Sequence, residues 1–271
     1  MGRAAAHGRT RVHAFSDPTA LSLLPSDARA RVERLRAGMP PRTLRERIEY
    51  RMLELRAKLM VARTVAIDEA IRAAASPQLV ILGAGLDGRA WRMPELRDAT
   101  VFEVDHPDSQ RVKRERASAL RPVARAIHFV PVDFARDRLD DALAAAGHDP
   151  AKPTTWIWEG VVMYLSRADI EATLDVIARR SSARSRLVVL YLSPSRFLRA
   201  LGLFARATDE PLRSLLAPDE IRALVARFGF VVTSDEALPA VARRLSDDVR
   251  GVRWAIDHQR VVIADRAPAV G

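Results

Sequence analysis

The chain of 271 residues contains no cysteine. That excludes disulfides, thiolate nucleophiles and cysteine-ligated zinc or iron–sulfur centres together. It also suits a cytoplasmic protein. Long apolar runs are missing too: none approaches the roughly 18 residues that span a bilayer. The opening residues Met1-Gly2-Arg3-Ala4-Ala5-Ala6-His7-Gly8-Arg9 lack the apolar core of a signal peptide. These absences lead to the expectation of a soluble, cytoplasmic protein with no membrane partner. Aromatic residues are sparse at 6%, yet hydrophobic residues make up 48% and charged residues 29%, an ordinary globular balance. The length suits one large α/β domain, or one domain with a cap.

Acidic charge is in deficit. Lysine and arginine number 44 against 34 acids, for a formal charge of +10, which raises the question of a nucleic-acid partner. The basic residues are mostly arginines interleaved with acids, as in Arg42-Thr43-Leu44-Arg45-Glu46-Arg47-Ile48-Glu49. That pattern reads as a solvated surface, so nucleic acid is not expected as a partner. An acidic small molecule drawn to a basic cleft is compatible with it.

What is present is concentrated between Val80 and Asp105. The apolar run Val80-Ile81-Leu82 opens into Gly83-Ala84-Gly85-Leu86-Asp87-Gly88, and a second run, Thr100-Val101-Phe102-Glu103-Val104, ends on Asp105. A strand, a glycine turn, a helix and a strand ending in a carboxylate describe half of a nucleotide-type cofactor site. Glycine lets the backbone approach a ligand closely, and the acid is placed to accept from ribose hydroxyls. The pattern alone does not separate NAD from S-adenosylmethionine.

Residues 16–75 read as helical, with Ser16-Asp17-Pro18 as a start signal. Within Arg42–Ala75, Leu44, Ile48, Met52, Leu55, Leu59, Val65 and Ile71 recur at mostly three- and four-residue intervals, an amphipathic stripe. Ser76-Pro77 ends it. Beyond it, short apolar runs alternate with helical stretches, which predicts a parallel sheet with crossover helices. The expected strands are Leu79–Leu82, Thr100–Val104, Ala126–Val132, Thr155–Trp158, Leu187–Leu192, Phe230–Thr233 and Arg260–Ala264. The expected helices are Asp87–Glu95, Pro107–Ala119, Leu139–Ala146, Arg167–Ser181 and Pro218–Phe228. Val231 and Val261–Ile263 are set to pair antiparallel. Residues 193–217 fit the sheet poorly and read as a lid over an acceptor. The organisation expected is a helical N-terminal cap (1–75) on a cofactor-binding domain (76–271), as one folding unit.

Three further segments place chemistry at strand ends. In Val130-Pro131-Val132-Asp133-Phe134, an acid and an aromatic could frame an adenine, or serve as a helix N-cap with a core phenylalanine. In Trp156-Ile157-Trp158-Glu159-Gly160, a carboxylate ends a very apolar strand and needs a cation, either a ligand ammonium or an arginine. Arg63, on the helix before the first strand, could fork onto a ligand carboxylate. Asp87 reads as a helix cap or as a contact to the same ligand. His106 has no metal-type spacing and reads as structural, and no metal ligands are assigned.

Together LGAGLDGRAWRM, FEVDHP, PVDF and WEGVVMYL resemble the leucine carboxyl methyltransferase family. The resemblance is closest to its bacterial branch of S-adenosylmethionine-dependent methyltransferases, which includes polyketide O-methyltransferases of the tetracenomycin type. It runs from about Asp17-Pro18 to Leu165. It implies a class I S-adenosylmethionine-dependent methyltransferase fold, a Rossmann-like seven-stranded α/β sheet with a helical N-terminal cap. It further implies that Gly83 and Gly85 line the donor and that Asp105 holds its ribose. Asp133 and Phe134 would frame the adenine, Glu159 would meet the methionine ammonium, and Arg63 its carboxylate. The family's usual loop reads GLDTR, whereas Gly88 stands here in the threonine's place.

The activity implied is methyl transfer to a carboxylate or hydroxyl of a small molecule, with a polyketide-type metabolite as one candidate. The residues name no general acid or base, and Tyr164 and Tyr191 read as acceptor-orienting or as core. Two alternatives stand beside this reading. An NAD(P)-dependent oxidoreductase could use the same glycine loop, although no Tyr-x-x-x-Lys pair accompanies it. A nucleic-acid methyltransferase would fit the charge, although the fourth strand is followed by Glu159-Gly160-Val161-Val162 rather than a base-clasping Pro-Pro-Tyr segment.

Overall fold

A computed structural model describes residues 1–134, 136–195, 212–246 and 258–267. Most of the lid expected at 193–217 lies outside the described residues. Among the described residues, seven strands form one sheet: β1 (Gln78–Leu82), β2 (Thr100–Asp105), β3 (Ala126–Pro131), β4 (Thr154–Trp158), β5 (Arg186–Leu192), β6 (Phe230–Ala237) and β7 (Gln259–Arg266). Their order is β3-β2-β1-β4-β5-β7-β6. The first five run parallel, and β7 is antiparallel to both β5 and β6. Every expected strand is present. β6 runs four residues past its expected end because the register shifts between Val232 and Ser234, and a bulge breaks the alternation by which a strand is read.

The sheet is buried on both sides, which explains why its central strands are apolar throughout rather than alternating. Leu79, Ile81, Val101, Ile157 and Val188 face one core. That core is covered by α1 (Gly2–Ala6), α2 (Ser26–Arg36), α3 (Leu44–Ala74), α4 (Arg89–Arg92), α5 (Pro107–Ala117) and α9 (Leu238–Leu245). Val80, Leu82, Phe102, Trp156 and Val189 face the other, beneath α6 (Leu139–Ala145), α7 (Arg167–Arg179) and α8 (Pro218–Arg227).

The N-terminal region departs from expectation in two ways. No helix starts at Ser16-Asp17-Pro18; the chain turns through 18–23, and α2 begins at Ser26. The Asp17 carboxylate that would have capped a helix is buried instead, paired with Arg3 at 3.1 Å and accepting from the Thr19 hydroxyl at 2.9 Å. The second departure concerns the amphipathic stripe. Leu44, Ile48 and Met52 are exposed, whereas Val61, Val65, Ile67 and Ile71 are buried. Helix α3 has 31 residues and is about 46 Å long, while a five-residue strand spans roughly 17 Å. Only its carboxyl-terminal half has sheet to lie on. A smaller correction applies at Asp87–Glu95, where the helix is split. Pro94 disfavours helical geometry at Met93, which takes φ −95° and ψ 108°.

Candidate functional site

The chain winds outward from β1 to β2 and β3 in one direction and from β4 to β5 in the other. The strand order therefore reverses between β1 and β4, and in such sheets the crevice at the carboxyl ends of those strands is the ligand site. Gly83 follows β1 there and Glu159 follows β4. Gly83 has φ +67°, and a Cβ on it would lie 2.3 Å from Val161 Cγ2. Two constraints, conformational and steric, thus require glycine at 83.

Beside it the Gly85 amide donates to Asp105 Oδ2 at 2.5 Å, and the His106 amide donates to Oδ1 at 2.7 Å. The carboxylate is clamped against the glycine loop, with lone pairs remaining on both oxygens for further donors. His106 caps α5: its ring nitrogen accepts from the Asp108 amide at 3.3 Å. Gly88 has a different reason to be glycine. A Cβ there would fall 2.1 Å from Thr19 Oγ1 and 3.4 Å from Asp17 Oδ1. The loop's third glycine is set by the N-terminal segment packed on it.

Behind the crevice lies a chain of alternating charges. Arg63 pairs with Glu159; Glu159 accepts from Arg89 Nη1 at 2.9 Å. Arg89 also pairs with Asp87 and, at 2.8 Å, with Asp68. Asp68 pairs with Arg92 at 2.7 Å, and Arg92 lies 3.7 Å from Asp17, which holds Arg3. Arg3 then donates to the Leu86 carbonyl at 2.6 Å, back on the glycine loop. Four arginines and four carboxylates alternate, so the buried network is neutral.

Burial would push the Glu159 carboxyl up, but Arg63 and Arg89 reverse this and hold it well below the usual range. Asp87 is held low in the same way, chiefly by Arg89 against its burial. Asp87 also accepts from the Arg89 amide, the first of α4, at 2.8 Å, although the cap position itself is Gly88. Arg63 thus meets Glu159 rather than standing apart from it, and Gly160 makes room: a Cβ there would lie 2.8 Å from Arg63 Nη2.

Asp133 and Phe134 stand at the end of β3, at the same sheet edge but in open surroundings. The Asp133 carboxylate lies 3.7 Å from Arg136 Nε, and its side chain is 29% exposed. Phe134 is 45% exposed, which overturns the reading of a core phenylalanine. With Leu139, Leu165 and Val176 it lines a groove of about 470 Å³ between α6 and α7. Tyr191 is buried, with its hydroxyl 3.0 Å from Asp235 and 2.9 Å from Arg260 Nε. It belongs to the sheet's own polar network. Tyr164 is exposed. Sequence reasoning missed Arg89, Asp68 and Arg3. Only Arg89 carried a signal, as the charged residue directly after the loop.

This sheet order, with its antiparallel final pair and its glycine loop at the switch point, is the class I S-adenosylmethionine-dependent methyltransferase fold. A "putative methyltransferase" from Thermobifida fusca shares it with a TM-score of 0.57 at 17% identity, over 98% of this chain and 94% of that one. So does magnesium protoporphyrin IX methyltransferase from Synechocystis PCC 6803, crystallised with S-adenosylhomocysteine. There the TM-score is 0.50 at 14% identity, over 89% and 95% of the two chains.

The family model of leucine carboxyl methyltransferase matches residues 1–178, and the chain belongs to that family. A "putative S-adenosyl-L-methionine-dependent methyltransferase" of Frankia alni is 38% identical over 177 residues, 64% of this chain and 59% of that protein. The chain spans about half the length of the curated relatives it matches, between 45% and 59% for three of them.

Proposed function

We propose that the chain is an S-adenosylmethionine-dependent O-methyltransferase acting on a carboxylate or hydroxyl of a small molecule. The observation that carries the reading is the pairing of opposite charges across the switch-point crevice, Arg63 with Glu159, in line with the clamped Asp105. A zwitterionic amino-acid end and a ribose need these groups: a guanidinium for the carboxylate, a carboxylate for the ammonium, and an acid for the hydroxyls. The residues fit the donor. Gly83 and Gly85 bring backbone to the ligand, and Gly160 leaves the Arg63 guanidinium free of a Cβ. Asp133 and Phe134 are assigned to the adenine.

When bound, S-adenosylmethionine supplies a sulfonium methyl group whose charge is lost as an acceptor oxygen attacks. The protein contributes by aligning donor and acceptor and by excluding water. A carboxylate acceptor is ionised at neutral pH and needs no general base, whereas a hydroxyl benefits from one. The acceptor class we favour is therefore a small acid, drawn by the formal net charge of +10; a polyketide-type acid is one such molecule. Nucleic acid is not proposed as a partner.

Thermal-shift and calorimetric titration with S-adenosylhomocysteine, NAD and NADP test the donor. Stabilisation by S-adenosylhomocysteine alone is expected; stabilisation by NAD alone would overturn the assignment. Transfer of labelled methyl to a panel of aromatic and aliphatic acids and their matched alcohols tests the acceptor class.

A further inference from the structure

The two arginines that hold Glu159 are not equivalent. The Arg63 side chain is 19% exposed and has Glu159 as its ion-pair partner. Arg89 is fully buried and bonded to three carboxylates, Asp68, Asp87 and Glu159. Among the described residues its buried Nη2 has no hydrogen-bond partner, so the guanidinium retains unused donor capacity. Moving Arg89 would take the ion-pair partner from Asp87 and one of two arginines from each of Asp68 and Glu159, a heavy desolvation cost. Moving Arg63 disturbs one ion pair at the rim of the crevice.

We propose that Arg89 is the positioning residue of the donor site, fixing Glu159 while the Arg63–Glu159 pair opens to admit the methionine end. The inference rests on the donor assignment made above. A zwitterion inserted between Arg63 and Glu159 exchanges one ion pair for two: its carboxylate takes the guanidinium, and its ammonium takes the acid. The four-against-four balance of the network stays neutral throughout. For this exchange Glu159 must stay in place when Arg63 leaves it, and Arg89 is the group that keeps it there. The remaining links, through Asp68, Arg92, Asp17 and Arg3, anchor Arg89 to the N-terminal segment.

The test compares two ligands that differ only beyond the thioether. S-adenosylhomocysteine carries the amino-acid end, whereas 5′-methylthioadenosine ends in a methyl group. Calorimetry on the full chain would be run for the native sequence, for R89K, and for the double variant D87N/R89Q, which removes one buried cation and one buried anion together. The double variant should bind S-adenosylhomocysteine roughly 30- to 100-fold more weakly, the loss expected for hydrogen bonds to charged groups. Its affinity for 5′-methylthioadenosine should change by no more than about twofold, since that ligand makes no contact through Glu159. R89K, which keeps the charge but loses the fork, should fall between.

An equal loss for both ligands would mean that Arg89 merely supports the fold, and an unchanged affinity for S-adenosylhomocysteine would mean that Glu159 needs no holding. Either result overturns the proposal while leaving the donor assignment intact. Failure of the native chain to bind either ligand would instead bring down the donor assignment, and this proposal with it.

Discussion

The two ends of the crevice are built by opposite strategies. At the end we propose for the methionine moiety, Arg89 and Asp87 are buried, and both Arg89 and the part-exposed Arg63 pair with Glu159. At the end we propose for the adenine, Asp133 is part exposed and Phe134 presents 45% of its surface to water. A zwitterion needs charged groups taken out of water, and such groups survive burial only when paired and held. A heterocycle needs an apolar face and an edge acceptor, which can be adjusted after binding. The first end must be part of the fold; the second need not be.

The sharpest way to break this contrast is Glu159→Ala. It leaves the buried Arg89 without one of its three carboxylates and Arg63 without its ion-pair partner, and removing one member of such a buried set costs about 3–5 kcal/mol. Urea denaturation should show that loss. A change below about 1 kcal/mol would mean that the methionine end is no more integral to the fold than a surface ion pair. Asp105→Ala, between the two ends, should separate binding from stability. Loss of charged hydrogen bonds to a ribose predicts a fall of about 100-fold in S-adenosylhomocysteine affinity, with the melting transition little changed. Undiminished affinity by calorimetry would move the ribose elsewhere.

Acid provides a third probe, because the depressed Glu159 carboxyl stays ionised as pH falls. His148 does not share that protection. Burial, aided by Arg180, lowers it from 6.5 to about 4, and it packs against Phe102 and Trp156. The native state keeps this ring neutral while the unfolded chain takes up a proton. Stability should therefore fall as pH drops from 6.5 towards 4, at up to about 1.4 kcal/mol per unit. His148→Gln should flatten that slope in denaturation midpoints measured across the range; a slope unchanged in the variant would assign the acid sensitivity to other groups. The smallest effect is expected for Phe134→Ala. Loss of a stacking face predicts about 1 kcal/mol, or roughly fivefold, in affinity for 5′-methylthioadenosine, with no change in stability. A large drop in melting temperature would show that the adenine end is as structural as its counterpart.

Much of this architecture could be read from residue order. Strand ends at Leu82, Asp105 and Trp158 were legible because buried parallel strands are short apolar runs closed by glycine or acid. Glu159 stood out because a carboxylate beside Trp156-Ile157-Trp158 must have a cation. Other features were not legible. The Leu44–Met52 stripe has the period of a buried helix face, yet it is exposed, since no sequence period records that a helix outruns its sheet. The short helix Leu238–Leu245 was missed, because eight residues carry too little periodicity to be told from a loop.

By itself the sequence determined the sheet, the glycine loop and the acids at the strand ends, because each follows from local apolar patterning. Tertiary structure alone decided how those acids are neutralised. Arg63 and Glu159 are 96 residues apart, and Arg89 and Glu159 are 70 apart; pairing at such range depends on which strand ends the fold makes neighbours. The third glycine of the loop belongs to the same class. As part of a fingerprint it would serve a cofactor, but Gly88 is glycine because Thr19, brought in from the N-terminal segment, occupies the space of its missing side chain.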